Sequence, residues 1–133
     1  MQAESKERIV VIDDSEVVLA RIRAALATAG YDVVTTSQTV GAARHLRGCQ
    51  LVIVDYHMPG LDGGTVMKSL RAALPHADSS PLFYLYTTDE RVSGTYAALG
   101  FDGCLTRKGD LAALVHQVEA VFRKQSLKRL KAK

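Results

Sequence analysis

Residues 52–64 read VIVDYHMPGLDGG. Three branched apolar residues run straight into Asp55, and a Met58-Pro59-Gly60 turn signal and an Asp62-Gly63 pair follow. Asp is a common turn former, so a turn explains one carboxylate here. It does not explain why a continuous apolar run, the pattern of a strand covered on both faces, ends in a charge. A carboxylate held at the end of a buried strand is a candidate for chemistry.

Working outward, short apolar runs recur at residues 9–12, 33–34, 51–54, 82–86 and 104–106. Three of them are rich in Val, Ile or Tyr and too short for buried helices, and the five runs predict five strands. Helical spacing lies between them. Val17, Val18, Ile22, Ala25 and Leu26 share one face of residues 15–29, with Gly30 as the stop. Val40, Ala43 and Leu46 mark a second helix ended by Gly48, and Val66, Met67, Leu70 and Leu74 a third ended by Pro75. A fourth covers about 90–99 before Gly100. The last carries Leu111, Leu114, Val115, Val118 and Phe122 on one stripe. The segment PHADSSP, residues 75–81, reads as loop. Strand followed by helix five times predicts an α/β fold with a parallel sheet.

In such sheets ligands gather beyond the carboxyl ends of the strands. Asp13-Asp14 follow the first run, Asp55 the third, Thr87-Thr88-Asp89 the fourth and Arg107-Lys108 the fifth. Each has a bland reading: Asp14 and Thr87 as helix caps, Lys108 as surface, Asp55 as a turn former. Their shared placement at one sheet edge favours a site. Carboxylates a few ångströms apart raise each other's pKa, and a hard divalent cation relieves them. Mg²⁺ favours one or two carboxylates, waters and a phosphate oxygen. Asp55 can then act as a nucleophile towards phosphorus, with the metal, the Thr87 hydroxyl and a cation each holding one of three charged oxygens.

These residues resemble a bacterial two-component response-regulator receiver domain over roughly residues 8–122. VVIDDSE is similar to the family's first strand with its acidic pair, VIVDYHMPGLDG to its phosphoacceptor segment, and LYTT with ALGFDGCLTRK to the region from its fourth to its fifth strand. The resemblance implies a doubly wound, flavodoxin-like (βα)5 fold with a five-stranded parallel sheet of order 2-1-3-4-5. It implies that Asp55 accepts a phosphoryl group from a histidine kinase, a phosphotransfer protein or a small donor, with Mg²⁺ or Mn²⁺ as cofactor. Asp14 would bind the metal directly, Asp13 mainly through water, and the His57 backbone carbonyl would complete the protein ligands. Thr87 would swing towards the aspartyl phosphate. The fourth helix, fifth strand and fifth helix would form the face that a downstream protein reads. Such a domain catalyses its own phosphorylation and dephosphorylation and is not a dedicated enzyme.

The fifth strand departs from the family pattern of an aromatic, two apolar residues and Lys-Pro. Cys104 stands at the aromatic place, and no proline follows. The phosphate-binding cation is Arg107 or, after a one-residue bulge, Lys108. Tyr86 or Tyr96 is a candidate stand-in for the aromatic. His57 and Asp89 would flank the approach of water, pairing with each other or orienting it, and tune the lifetime of the phosphoryl group, or serve only as exposed loop.

Composition limits the alternatives. A chain of 133 residues with 47% hydrophobic and 23% charged letters suits one soluble domain. The opening residues show no cleavage signal, and no apolar run approaches the roughly 18 residues of a membrane span, so a cytoplasmic protein with no membrane insertion is expected. Cys49 and Cys104 lack metal spacing and read as reduced thiols. The last twelve residues carry six Lys or Arg and no acid; without them 11 basic residues face 14 acidic, a net −3. Residues 123–133 therefore form a basic tail, read as a solvated helix end rather than a handle for an acidic partner, and no direct DNA binding is expected. The alternative function is a receiver-like interaction module that works without phosphorylation. An aspartate-nucleophile phosphatase or a flavin binder is remote, because Asp55-Tyr56-His57 lacks the second Asp and no phosphate loop follows the first strand.

Overall fold

The computed structural model describes residues 7–38, 41–58, 61–73 and 81–131. Its elements are β1 (Arg8–Ile12), α1 (Glu16–Thr28), β2 (Asp32–Thr36), a 3₁₀ turn (Ala42–His45), β3 (Leu51–Val54), β4 (His57–Met58), β5 (Leu61–Asp62), α2 (Gly63–Ala73), β6 (Leu82–Tyr86), α3 (Glu90–Ser93), β7 (Gly103–Leu105) and α4 (Leu111–Lys131). Five strands form one sheet in the order β2-β1-β3-β6-β7, every pair parallel. Counted among themselves, these strands run 2-1-3-4-5, the expected doubly wound arrangement. β4 and β5 make a separate antiparallel pair.

The strand pattern divides the core between two layers because successive side chains point to opposite faces. Ile9, Val11, Leu51 and Ile53 pack with Leu19, Ile22 and Leu26 of α1 and with Leu114, Val118 and Phe122 of α4. Val10, Ile12, Val52 and Val54 pack with Val66, Met67 and Leu70 of α2 and with Phe101. Each such side chain contributes roughly 1.5–3 kcal/mol. Ser15, the N-cap of α1, accepts from the Val18 N–H, a bond that contributes only about 1 kcal/mol. Packing thus holds the helices, and caps set where they start.

Two helices of the sequence reading shrink. Only one 3₁₀ turn, Ala42–His45, forms where the second helix was expected. Gly41, at φ 78°, leaves helical space just before it, and Val40 lies outside the described residues. The fourth helix stops at Ser93 and continues as turns. The Ser93 and Thr95 hydroxyls donate back to the Glu90, Arg91 and Val92 carbonyls, the competition that weakens helices at Ser and Thr. Val17, expected on the packed stripe of α1, is 68% exposed. The expected loop at 75–81 falls outside the described residues except for Pro81, as do Leu74 at the end of the third helix and Pro59-Gly60 in the turn after Asp55. The basic stretch from Arg123 to Lys131 is the end of α4. No helix among the described residues is long and apolar enough to cross a membrane.

One close approach fixes the start of α2 beneath β3. The Gly63 N–H donates to the Tyr56 carbonyl at 2.7 Å. A Cβ at Gly63 would sit 2.5 Å from the Asp55 carbonyl oxygen and 2.8 Å from the Tyr56 Cα. Those are backbone atoms and cannot rotate away. Gly63→Ala is therefore expected to destabilise the fold by about 3 kcal/mol, the upper range for overpacking. Thermal unfolding should show a loss of roughly 10 °C; an unchanged midpoint would mean that this approach does not constrain the fold.

Candidate functional site

Asp55 follows β3, and its backbone N–H donates to the Ile12 carbonyl at 2.9 Å, tying it to the neighbouring strand β1. Asp13 leaves β1, and its N–H donates to the Thr36 carbonyl of β2. The sheet thus presents Asp13 and Asp55 side by side, both buried, with 3% and 7% of their surface exposed. Asp14 is exposed beside them. Carboxylate oxygens of the three lie within 4.8 Å of one another.

Among the described residues one cation reaches them. Lys108 Nζ donates to Asp13 Oδ2 at 2.8 Å and to Asp55 Oδ1 at 3.0 Å. Arg107 stays exposed, with its backbone in the left-handed region at φ 56°. The geometry thus favours the bulged alternative for the cation. The cause is a turn: the Asp110 N–H donates to the Arg107 carbonyl at 2.9 Å, and Gly109 between them has φ 103°. A type II turn needs positive φ at its third position, where Gly109 stands, so Lys108 falls at the second position and points back over the sheet. Gln117 of α4 anchors the entry to this turn. Its side chain accepts from the Thr106 N–H at 2.8 Å and donates to the Thr106 carbonyl at 2.9 Å. Gln117 carried no signal in the sequence; Gly109 did, because Arg-Lys-Gly-Asp is a turn pattern.

Several bland readings fall away. Ser15, not Asp14, caps α1, and Asp13 Oδ1 accepts from the Ser15 N–H. Asp89, not Thr87, caps α3, accepting from the Arg91 and Val92 N–H groups. Thr87 is buried at the end of β6, where its hydroxyl accepts from the Asp89 N–H and donates to no described residue. Asp62 is the structural carboxylate, accepting from the Thr65 N–H at the start of α2. The His57 backbone opens β4, opposite Asp62; its side chain, and so any pairing with Asp89, lies outside the described residues. Cys104 is half-buried and Cys49 buried, both free thiols.

Electrostatics set the site apart. Burial, above all, pushes the Asp55 carboxyl above its ordinary range; Lys108 pulls it down, and the charges of Asp13 and Asp14 push it up again. Burial alone would lower the Lys108 pKa, yet its bonds to Asp13 and Asp55 raise it, so it stays an ammonium. Three carboxylates against one ammonium leave a formal −2. Among the described residues Asp55 Oδ2 carries no hydrogen bond. An uncapped Asp14, an open oxygen on Asp55 and an excess of two negative charges fit a hard divalent cation with oxygen ligands.

The chain is similar to known proteins over almost its whole length. A family model, the response regulator receiver domain, matches residues 9–119. Transcriptional regulatory protein PrrA of Mycobacterium leprae is 32% identical over 123 residues, covering 91% of this chain and 52% of that protein. Response regulator MprA of a Mycobacterium species is 32% identical over 124 residues, again covering 52% of its length. The chain thus spans about half the length of these relatives. Among solved structures, a CheY-like receiver domain from Methylobacillus flagellatus superposes with a TM-score of 0.74 at 22% identity, over 88% of this chain and 99% of that one. Response regulator TrrA of Thermotoga maritima, in complex with Mg²⁺ and BeF, does so at 0.70 and 22%, over 86% and 97%. Sheet order, sequence match and shared fold agree: the chain belongs to the response regulator receiver domain family of two-component signalling.

Proposed function

We propose that this domain is a phosphorylatable switch in which Asp55 is the acceptor. The observation that carries the reading is the Lys108 ammonium shared between Asp13 and Asp55, with Asp14 beside them. The open oxygen of Asp55 attacks phosphorus. A P–O bond forms to the carboxylate as the P–N bond of a phosphohistidine, or the P–O bond of a small acyl phosphate, breaks. Strand β3 fixes the attacking group in place, which lowers the entropy cost of reaction. Lys108 turns from Asp55 to a phosphoryl oxygen, and the unused Thr87 proton is donated to another. Mg²⁺ or Mn²⁺, when bound, supplies charge neutralisation for the carboxylates and the transferred group. Asp14 and Asp55 would be direct ligands together with the His57 carbonyl. Asp13, already engaged by Lys108 and the Ser15 N–H, would act through water.

The consequence reaches the surface through Thr87. When its hydroxyl turns to the phosphoryl group, it gives up the Asp89 N–H, which begins α3. The surface of α3, β7 and α4 is the proposed face for a downstream protein; a histidine kinase or phosphotransfer protein is the proposed donor. DNA is not assigned as a direct partner of these residues. The domain would work in the cytoplasm and turn over no separate substrate, only its own aspartyl phosphate.

The test is incubation with Mg²⁺ and acetyl phosphate, read by intact mass as one added phosphoryl group that is lost in base. Absence of the adduct would remove the proposal. The metal is tested separately: Mg²⁺ at 100 times its dissociation constant is expected to stabilise the fold by about 2.7 kcal/mol. Asp14→Ala should abolish most of that gain, and an undiminished gain would take Asp14 out of the metal site.

A further inference from the structure

Strand β7 ends at Leu105, its last residue paired with β6, and α4 begins at Leu111. The stretch between them, residues 106–110, carries Lys108 and is not stiff by itself. No proline stands in it, and Gly109 has open space where a Cβ would sit. Arg107 occupies the left-handed region at φ 56°, which residues with side chains rarely adopt. Such a conformation persists only where the surroundings over-determine it.

Both ends of the stretch are fastened to α4. At the far end, Asp110 Oδ1 accepts from the Ala113 N–H at 3.0 Å, and the Asp110 carbonyl accepts from the Leu114 N–H at 3.0 Å. At the near end stands Gln117. Its Oε1 accepts from the Thr106 N–H at 2.8 Å and from the Thr106 hydroxyl at 3.1 Å. Its Nε2 donates to the Thr106 carbonyl at 2.9 Å and to the Ala113 carbonyl at 3.1 Å. A side-chain amide has two donor protons and room for two bonds at its oxygen, so all four are used. An amide that serves both the N–H and the C=O of one residue reproduces the hydrogen-bonded pair of an antiparallel ladder. Gln117 thus pairs Thr106 where β6 no longer does, and the bond to Ala113, one turn back in α4, holds the glutamine in its rotamer.

Only Arg107, Lys108 and Gly109 lie between the two fastened residues, and the middle one holds Asp13 and Asp55 through bonds of 2.8 and 3.0 Å. We infer that Gln117 is a positioning residue: by holding Thr106 to α4 it fixes the phase of the turn and keeps the Lys108 ammonium over the two carboxylates. The effect on phosphoryl transfer rests on the proposed role of Lys108, whereas the hold on Lys108 does not.

The test is a double-mutant cycle in the full chain. Gln117→Met keeps the length and helix propensity of the side chain and loses all four bonds. With Mg²⁺ and acetyl phosphate it should slow adduct formation about tenfold, as a small misplacement of a charged group does. In the Lys108→Ala background the same substitution should change the residual rate by less than about twofold. The second readout needs neither metal nor donor. Lys108→Ala should lower the urea midpoint of the wild type, and lower that of Gln117→Met by no more than about half as much. A merely structural glutamine would give additive midpoint shifts and an unchanged rate, and either result would overturn the proposal. Equal slowing in both backgrounds would overturn it as well, since Gln117 would then not act through Lys108. If the wild type takes up no phosphoryl group, the proposed function fails, and the midpoint cycle alone decides whether Gln117 positions Lys108.

Discussion

Asp55→Asn is expected to abolish the phosphoryl adduct completely and, without divalent ions, to make the protein more stable than wild type. The first effect follows because an amide cannot accept phosphorus as a carboxylate does. The second follows from charge. Replacing one of three clustered carboxylates lowers the formal charge of the site from −2 to −1 and leaves Lys108 its bond to Asp13. The expected gain at neutral pH is about 1 kcal/mol, read as a shift of the urea midpoint. Its pH dependence has a definite sign. The folded Asp55 pKa is raised, chiefly by burial, so the folded state holds this proton more tightly than the unfolded one. The penalty of the ionised group is absent below the ordinary Asp value near 3.9 and complete above the raised one. The stability gap between variant and wild type should therefore close as the pH falls through that window. A gap that persists at acid pH would mean that charge is not its cause, and an adduct on the variant would move the acceptor elsewhere.

Lys108→Ala should act in the opposite direction on stability and nearly as strongly on chemistry. Its removal takes the site from −2 to −3 with Asp13 and Asp55 both buried. Breaking a buried ion pair costs about 3–5 kcal/mol; the lower end applies because the Lys108 side chain stays 15% exposed. The rate of phosphorylation by acetyl phosphate should fall on the order of 100- to 1000-fold, the loss seen when one preorganised charge donor is deleted. Arg107→Ala should change it by no more than about twofold, since that side chain is exposed and the ion pairs to Asp13 and Asp55 come from Lys108. Equal effects of the two substitutions would show that the turn does not choose between them. The Lys108 pair has its own pH limit. Its pKa is raised by Asp13 and Asp55 against the opposing effect of burial. Its stabilisation is thus present below the ordinary lysine value and lost only as the pH rises through the raised one.

The strands were legible because burial on both faces leaves a continuous apolar run, as at Leu51–Val54, and few other environments do. The site was legible for the same reason: polar residues that interrupt such runs, Asp13, Asp55 and Thr87, had to lie at one edge. The two shortened helices were not, because a stripe such as Ala43 and Leu46 states what is apolar and not whether the backbone can follow. Gly41 and the hydroxyls of Ser93 and Thr95 decided that. Arg107 and Lys108 were inseparable by type and position. Only the positive φ of Gly109 set the phase of the turn, and a motif aligned without gaps places the wrong residue inward. The β4–β5 pairing is two residues long on each side, too short for any alternation to register.

The shortness of α3 has a wider consequence. Its four residues bury no side chain, and the turns after it, as far as Gly100, hold only half-buried contacts until Phe101 re-enters the core. A segment so lightly fastened opens at a small fraction of the global unfolding free energy. If Thr87 plays its proposed role, a signal leaving it therefore need not push a rigid rod. It has only to change how often a loosely held stretch of chain is folded, and a partner reads that frequency as affinity.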